Sequence, residues 1–229
     1  MKCDDYYKAY DLRYKQVHQK GLLWELTQNT PLVEETIAKY QISKTDKILD
    51  LGCGEGRDAI YLLKQGYNVT AVDYSWETIN KCNELTNNKF KNNFKQLDII
   101  QDKLPNKYKF IYSISVLHMF VLQKHRDSYL KFIYDHLENN GIALITVLGN
   151  GKESRETDIK EAFFPGKRIV QDEGIILYIA NTSCKIVSWT TLEKEIQQNN
   201  LKIEDKYISH NIPGFNNSMC VIIKHKNIV

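Results

Sequence analysis

The stretch KILDLGCGEGRDAIYLLKQGYNVTAVDYS, residues 47–75, is the part of the chain from which the fold is read. An apolar run, KILDL, leads into Gly52, Gly54 and Gly56, three glycines within five residues. A helix-like run over residues 56–65 follows, and then a second apolar run, YNVTAVD. Strand, glycine-rich turn, helix and strand make the βαβ unit of a parallel sheet. In such a sheet ligands bind beyond the carboxyl ends of the strands, where the strand order reverses, and the glycines occupy that position. Glycine reaches the backbone angles of a tight turn and lets a ligand lie directly against the main chain.

The alternation continues outward from this unit. A helix is expected from Ser75 to about Thr86, then strands at FKQLD and KFIYSIS, and a helix near residues 124–137. An ENNG turn should then lead into GIALITVL, whose unbroken apolar character fits a strand buried on both faces. Residues 150–187 break the rhythm. GNGKESRETDIKEAFFPGKR reads as polar loop and EGIILYIANTSCKIVSW as a short hairpin, together an insertion over the ligand face. The chain ends with a helix over about residues 190–200, a strand LKIEDKYISH, a turn through Pro213 and Gly214, and a strand MCVIIKHK. Residues 1–40 look helical, with Tyr7, Tyr10 and Tyr14 at i, i+3 and i+7, a cap rather than a second domain. The expected organisation is therefore one domain over 1–229: cap 1–40, ligand-binding core 45–149, insertion 150–187, and C-terminal helix and strand pair 188–229.

Charge narrows the ligand. A dinucleotide calls for G-x-G-x-x-G, but Arg57 stands at the third glycine's position, so the dehydrogenase pattern fails by one residue. Asp50, at the carboxyl end of the first strand, would repel a pyrophosphate and attract an ammonium or sulfonium. Asp73 ends the second strand, where a carboxylate accepts hydrogen bonds from both hydroxyls of a ribose. Asp98, at the end of the third strand, is placed to meet an adenine amino group, with Leu97 or Ile99 against the ring. A positively charged nucleoside without phosphate, S-adenosylmethionine, meets all of these demands.

Taken in order, LDLGCGEGRD, VTAVDYS, QLDI and SISVLHMF resemble the successive motifs of class I S-adenosylmethionine-dependent methyltransferases, closely over residues 45–150 and loosely elsewhere. The glycine loop followed later by SVLHMF is more particularly similar to the tellurite-resistance and thiopurine type of small-molecule methyltransferase. The resemblance implies an α/β, Rossmann-like, seven-stranded, mostly parallel sheet with helices on both faces, its last strand antiparallel, under an N-terminal helical cap. It maps the family's glycine loop onto Gly52, Gly54 and Gly56, its ribose acid onto Asp73 followed by Tyr74, and its adenine-side acid onto Asp98; with Asp50, Ile99 and Ser115 these make the expected cofactor site. It departs from the family at Phe110, where the fourth strand usually opens with an acid.

Methyl transfer from a sulfonium is an in-line displacement, so alignment and exclusion of water matter more than a base. His118, just past the fourth strand, is the candidate catalytic residue, as a proton acceptor or a hydrogen-bond partner for the nucleophile. The aromatic cap supplies substrate-side candidates, Tyr6, Tyr10, Tyr14 and Trp24, able to face a sulfonium or amine through cation–π attraction. Arg13 could clamp a carboxylate, or only pair with Asp11 or Glu25 at the surface. Tyr178 and Trp189 are candidate pocket walls from the insertion and its end.

Composition sets limits. With 31 basic and 28 acidic residues the net charge is only +3, so bulk electrostatics do not call for nucleic acid, although Lys89, Lys91 and Lys95 cluster. Five scattered cysteines without C-x-x-C spacing speak against disulfides and a metal site, and for a cytoplasmic protein. The polar N-terminus lacks the apolar run of an export signal, and the most apolar stretch, IYSISVLHMFVL, is too short to span a membrane. No Pro-Cys or Pro-Pro pair offers the motifs of pyrimidine C5 or exocyclic base-amine methylation. The leading expectation is methyl transfer to an N, O or S/Se/Te atom of a small molecule, by a monomer or homodimer. A tRNA or rRNA methyltransferase, a non-catalytic S-adenosylmethionine-binding module and a nucleotide-dependent dehydrogenase are the alternatives.

Overall fold

A computed structural model of the chain describes residues 3–24, 28–169 and 174–226. A 3-10 turn, Cys3–Lys8, runs into α1 (Ala9–His18); α2 (Pro31–Lys39) opens on a proline, whose fixed φ suits a first helical turn. The core alternates β1 (Lys47–Leu51), α3 (Arg57–Lys64), β2 (Asn68–Asp73), α4 (Trp76–Leu85), β3 (Phe94–Gln96), β4 (Tyr108–Ile114), α5 (Gln123–His136) and β5 (Leu137–Leu148). The insertion contributes β6 (Arg155–Glu156), β7 (Pro165–Ile169), β8 (Ile176–Ala180) and β9 (Lys185–Ile186). After it come α6 (Trp189–Gln198), β10 (Leu201–Ser209) and β11 (Ser218–His225).

Seven strands form one sheet in the order β10-β11-β5-β4-β1-β2-β3. β1 to β5 pair in parallel, whereas β11 lies antiparallel between β5 and β10. The chain winds outward from β1 to β3 and then returns to β4, so the order reverses between β1 and β4 and opens a crevice at their carboxyl ends. Side chains of successive strand residues part to opposite faces. Leu49, Leu51, Ile111 and Ile145 enter one apolar layer, and Ile48, Phe110, Leu144 and Ile222 the other. Helices cover both layers, which is why β1 and β5 read as unbroken apolar runs.

The core helices lie within about two residues of their expected limits because their ends carry local signals. Ser75 Oγ accepts the Thr78 N–H at 3.3 Å to start α4, and Ser188 Oγ accepts the Thr191 N–H at 3.4 Å to start α6. Two local expectations are corrected. ENNG is a bulge inside β5 rather than a turn before it: Tyr108 faces Leu137 and Phe110 faces Ile142, so the extra residues swell β5 while its pairing resumes. The insertion hairpin pairs β7 with β8, and β9 pairs with the distant β6. PGKRI therefore belongs to a ribbon that its polar composition concealed.

A buried ion pair joins α5 to α6. Arg126 of α5 donates from Nε to Glu195 Oε1 at 2.8 Å and from Nη2 to Oε2 at 2.7 Å, and from Nη1 to the carbonyls of Leu117 and Phe120. Both side chains are shielded from water, so the forked geometry and the extra carbonyls must offset desolvation. Arg126→Met strands the Glu195 carboxylate and should lower unfolding stability by about 3–5 kcal/mol in urea titration, whereas adding Glu195→Met should recover most of it.

Candidate active site

The loop after β1 is shaped by backbone. Gly52, Gly54 and Gly56 all have positive φ, and two of them show why no side chain is tolerated. A Cβ on Gly52 would lie 2.5 Å from Val116 Cγ2, and one on Gly56 2.7 Å from Cys82 Sγ. The loop is tied to β2: Gly52 N–H and Cys53 N–H donate to the Val72 carbonyl, and Gly54 N–H donates to Asp73 Oδ2 at 2.9 Å. Asp73 Oδ1 accepts the Ser75 N–H at 2.8 Å. Burial pushes the Asp73 carboxyl above its ordinary range, and those two N–H groups pull the other way. Above the loop tip, Glu55 takes His18 Nε2 at 2.7 Å and the Trp24 N–H at 2.9 Å, which ties the cap down.

A cavity of about 340 Å³ opens at this loop, between the ends of β1, β2 and β4, the cap and the insertion. α1 forms its roof. Asp11 of that helix accepts Ser75 Oγ–H at 2.7 Å, and Tyr10 donates its hydroxyl to the Ser183 carbonyl at 2.8 Å. Tyr7 stands edge-on to Tyr74 and Phe120, an apolar wall beside Ile99.

Two buried polar groups on the wall lack hydrogen-bond partners among the described residues, Ser115 Oγ and His118 Nδ1. Ser115 adopts φ 62°, a left-handed conformation strained for serine, held by its N–H donating to the Thr146 carbonyl and Oγ1. His118 sits in a short 3-10 turn, Leu117–Met119, only 5% exposed and edge-on to Phe215 at 6.4 Å. Burial, and then the Arg126 charge, press its pKa down to about 3. The imidazole is thus neutral throughout the physiological range.

The cavity brings together Gly52, Asp73, Tyr74, Ile99, Ser115 and His118 with Tyr10, Arg13, Tyr14 and Trp24. Other expected residues stand elsewhere. Asp50 is buried beneath the loop, opposite Ala71 and Tyr112, and Gly54 and Gly56 shape the turn from behind. Asp98 lies past the end of β3, which stops at Gln96, and its carboxylate accepts Tyr7 Oη–H at 2.8 Å. Tyr6 is buried, its hydroxyl accepting the N–H groups of Val121 and Leu122, while Tyr178 is 72% exposed on β8. Trp189 packs over Gly151 away from the cavity. Arg13 forms no ion pair with Asp11, which bonds Ser75, and the other expected acid, Glu25, lies outside the described residues. The sequence reading passed over Arg168, Asn181, Thr182, Ser183 and Phe215, which carry no periodic signal; Tyr7 was visible in its tyrosine stripe.

A parallel sheet with this strand order, a single reversed strand and a glycine loop closed by the acid after β2 defines the class I S-adenosylmethionine-dependent methyltransferase fold. The solved structures agree. A TehB-like methyltransferase from Corynebacterium glutamicum covers 96% of the chain at TM-score 0.59 and 19% identity, with 98% of its own chain matched. The 1,6-didemethyltoxoflavin-N1-methyltransferase of Burkholderia thailandensis covers 96% at TM-score 0.68 and 16% identity, with 89% of its own chain matched. Within that class the chain belongs to the family described as tellurite resistance protein TehB, whose model matches residues 16–155. A probable S-adenosyl-L-methionine-dependent methyltransferase TehB of Haemophilus influenzae is 36% identical over 117 residues, 51% of this chain and 41% of that protein. The chain spans about half the length of the curated relatives it matches.

The neutral histidine has a measurable signature. Folded His118 titrates near 3 and unfolded histidine near 6.5, so between these values the unfolded chain binds the extra proton and stability falls as pH falls. His118→Gln should flatten that fall by about 1.4 kcal/mol per pH unit in denaturant titrations across the window. An unchanged slope would contradict the depressed pKa.

Proposed function

We propose that the chain transfers a methyl group from S-adenosylmethionine to an N, O or S/Se/Te atom of a small molecule, as one cytoplasmic domain working as a monomer or homodimer. The observation that carries this reading is the cavity itself. It runs from a backbone-only glycine loop and the Asp73 carboxylate to a wall that includes Ser115 and His118, whose buried Oγ and Nδ1 have no hydrogen-bond partner among the described residues.

The residues present fit the cofactor. Asp73 would take the ribose hydroxyls, Tyr74 and Ile99 would flank the adenine, and Gly52 and Ser115 would face the methionyl part. When bound, it supplies an electrophilic methyl on a sulfonium. The chain's own task is then to hold a nucleophile in line and keep water away. A histidine with pKa about 3 is too weak a base to deprotonate an amine, phenol or thiol beforehand. His118 would instead accept a hydrogen bond from the nucleophile's N–H, O–H or S–H and so orient its lone pair. Phe215, Met119 and Phe120 supply the apolar walls that exclude water.

A small acceptor suits this enclosure, roofed by the cap and closed by the insertion. Lys89, Lys91 and Lys95 are exposed and stand away from the cavity wall, so they do not favour an RNA acceptor. Among the described residues no helix is long and apolar enough to cross a membrane.

Calorimetry with S-adenosylhomocysteine against NAD tests the cofactor, with binding of the first alone expected. Asp73→Ala should weaken S-adenosylhomocysteine by about 1–3 kcal/mol, because sugar hydroxyls lose a charged partner. Tighter binding of NAD would overturn the assignment. Release of labelled methyl to amines, phenols or thiols separates an enzyme from a sensor.

A further inference from the structure

We propose that Arg13 and Arg168 form a carboxylate subsite in the cavity, and that the methyl acceptor is accordingly a small organic acid. This rests on the methyltransferase reading above and names its substrate class.

The two guanidinium groups converge on one corner of the insertion. Arg13, only 6% exposed, donates from Nε and Nη2 to the Ala180 carbonyl at 3.1 and 2.9 Å, and from Nη2 to the Asn181 carbonyl. Arg168, on the face of the β7–β8 ribbon turned to the cavity, donates from Nη2 to the same Asn181 carbonyl and to Asn181 Oδ1, both at 3.1 Å. Two cations thus share one carbonyl oxygen. Aromatic faces stack on Arg13, with Trp24 at 4.8 Å and Tyr10 at 5.3 Å. Arg13 Nη1 and Arg168 Nε have no acceptor among the described residues.

Among the described residues no carboxylate neutralises the pair. Neither arginine takes part in any ion pair among the described residues. The acids on the cavity wall, Asp11 and Asp73, are held at the β2 end by Ser75 and the glycine loop. Burial, and the charge of Arg168, make Arg13 harder to keep protonated than an ordinary arginine. Like charges gathered on one cavity wall call for an anion, and a carboxylate's two oxygens match the guanidinium fork.

The segment that carries those carbonyls, residues 180–183, also reaches the turn that holds the histidine. Ser183 Oγ donates to the Met119 carbonyl at 2.7 Å, one residue from His118, and buried Thr182 bends the segment with φ 61°. An acid held by the arginines would therefore place a nucleophile a few bonds away toward His118. Asn181 is itself positioned by the absence of a side chain at Gly166, where a Cβ would fall 1.8 Å from Asn181 Oδ1.

The test uses matched acceptors: 2-mercaptobenzoate, 4-hydroxybenzoate and 4-aminobenzoate, each against its carboxamide. They are titrated calorimetrically into the full chain with and without S-adenosylhomocysteine, and then assayed for methyl transfer. At least one acid should bind tenfold or more tighter than its amide. Arg168→Gln should reduce that ratio below twofold while changing S-adenosylhomocysteine affinity less than twofold, and Gly166→Ala should reduce it in the same direction. Equal binding of acids and amides, or failure of every acid to bind, overturns the proposal. If Arg168→Gln weakens S-adenosylhomocysteine tenfold but leaves 5′-methylthioadenosine unchanged, the carboxylate belongs to the cofactor and the acceptor assignment is overturned. Absence of S-adenosylhomocysteine binding in the wild type would sink the methyltransferase reading instead, and the acid-to-amide ratio in the free protein still decides the subsite.

Discussion

The contact between Asp73 and the Gly54 N–H joins the ends of β1 and β2 and gives the loop between β1 and α3 its form. Parallel strands leave their carboxyl ends open, and the reversal between β1 and β4 leaves a gap there that no helix fills. Without a fixed turn at this gap the main chain would have no reason to present its N–H groups to a ligand. One carboxylate accepting Gly54 and Ser75 holds the loop and starts α4 together. The other parts of the molecule are arranged around that turn.

Above it, the cap and the insertion enclose the cavity by polar contacts to main chain. Glu55 receives α1 and the Trp24 N–H, Gln16 Oε1 accepts the Ala180 N–H, and Arg13 donates to the carbonyls that follow. Such bonds specify position, because a buried carbonyl or N–H left unmatched is costly. Below the histidine turn, Arg126 performs the same service, bonding the carbonyls of Leu117 and Phe120 while paired with Glu195. Its charge also helps to keep His118 neutral. Stability and chemistry therefore meet in the same buried cation.

Most of the sheet was legible from residues 47–75 and the runs that follow. Apolar runs, glycine turns and serine caps act locally, and so they leave a local trace. The ENNG bulge was read as a turn because both begin with the same residue types, and only pairing with β4 distinguishes them. β7 went unseen since PGKRI has no period of its own and is a strand only beside β8. Tyr6 and Tyr7 are neighbours of one kind, yet Tyr6 caps the start of α5 and Tyr7 faces the cavity.

The amino-acid sequence by itself determined the βαβ frame, the glycine loop and the acid at the end of β2, because each depends on residues within a few positions of one another. Tertiary structure decided the rest of the cavity. It brought Arg13 to Arg168, left His118 Nδ1 and Ser115 Oγ without hydrogen-bond partners among the described residues, and took Tyr6 and Tyr178 away from the wall. Those relations join residues far apart along the chain. Only packing of the cap and insertion over the sheet sets which side chains share a space, and burial there, not residue type, sets whether an imidazole carries a proton.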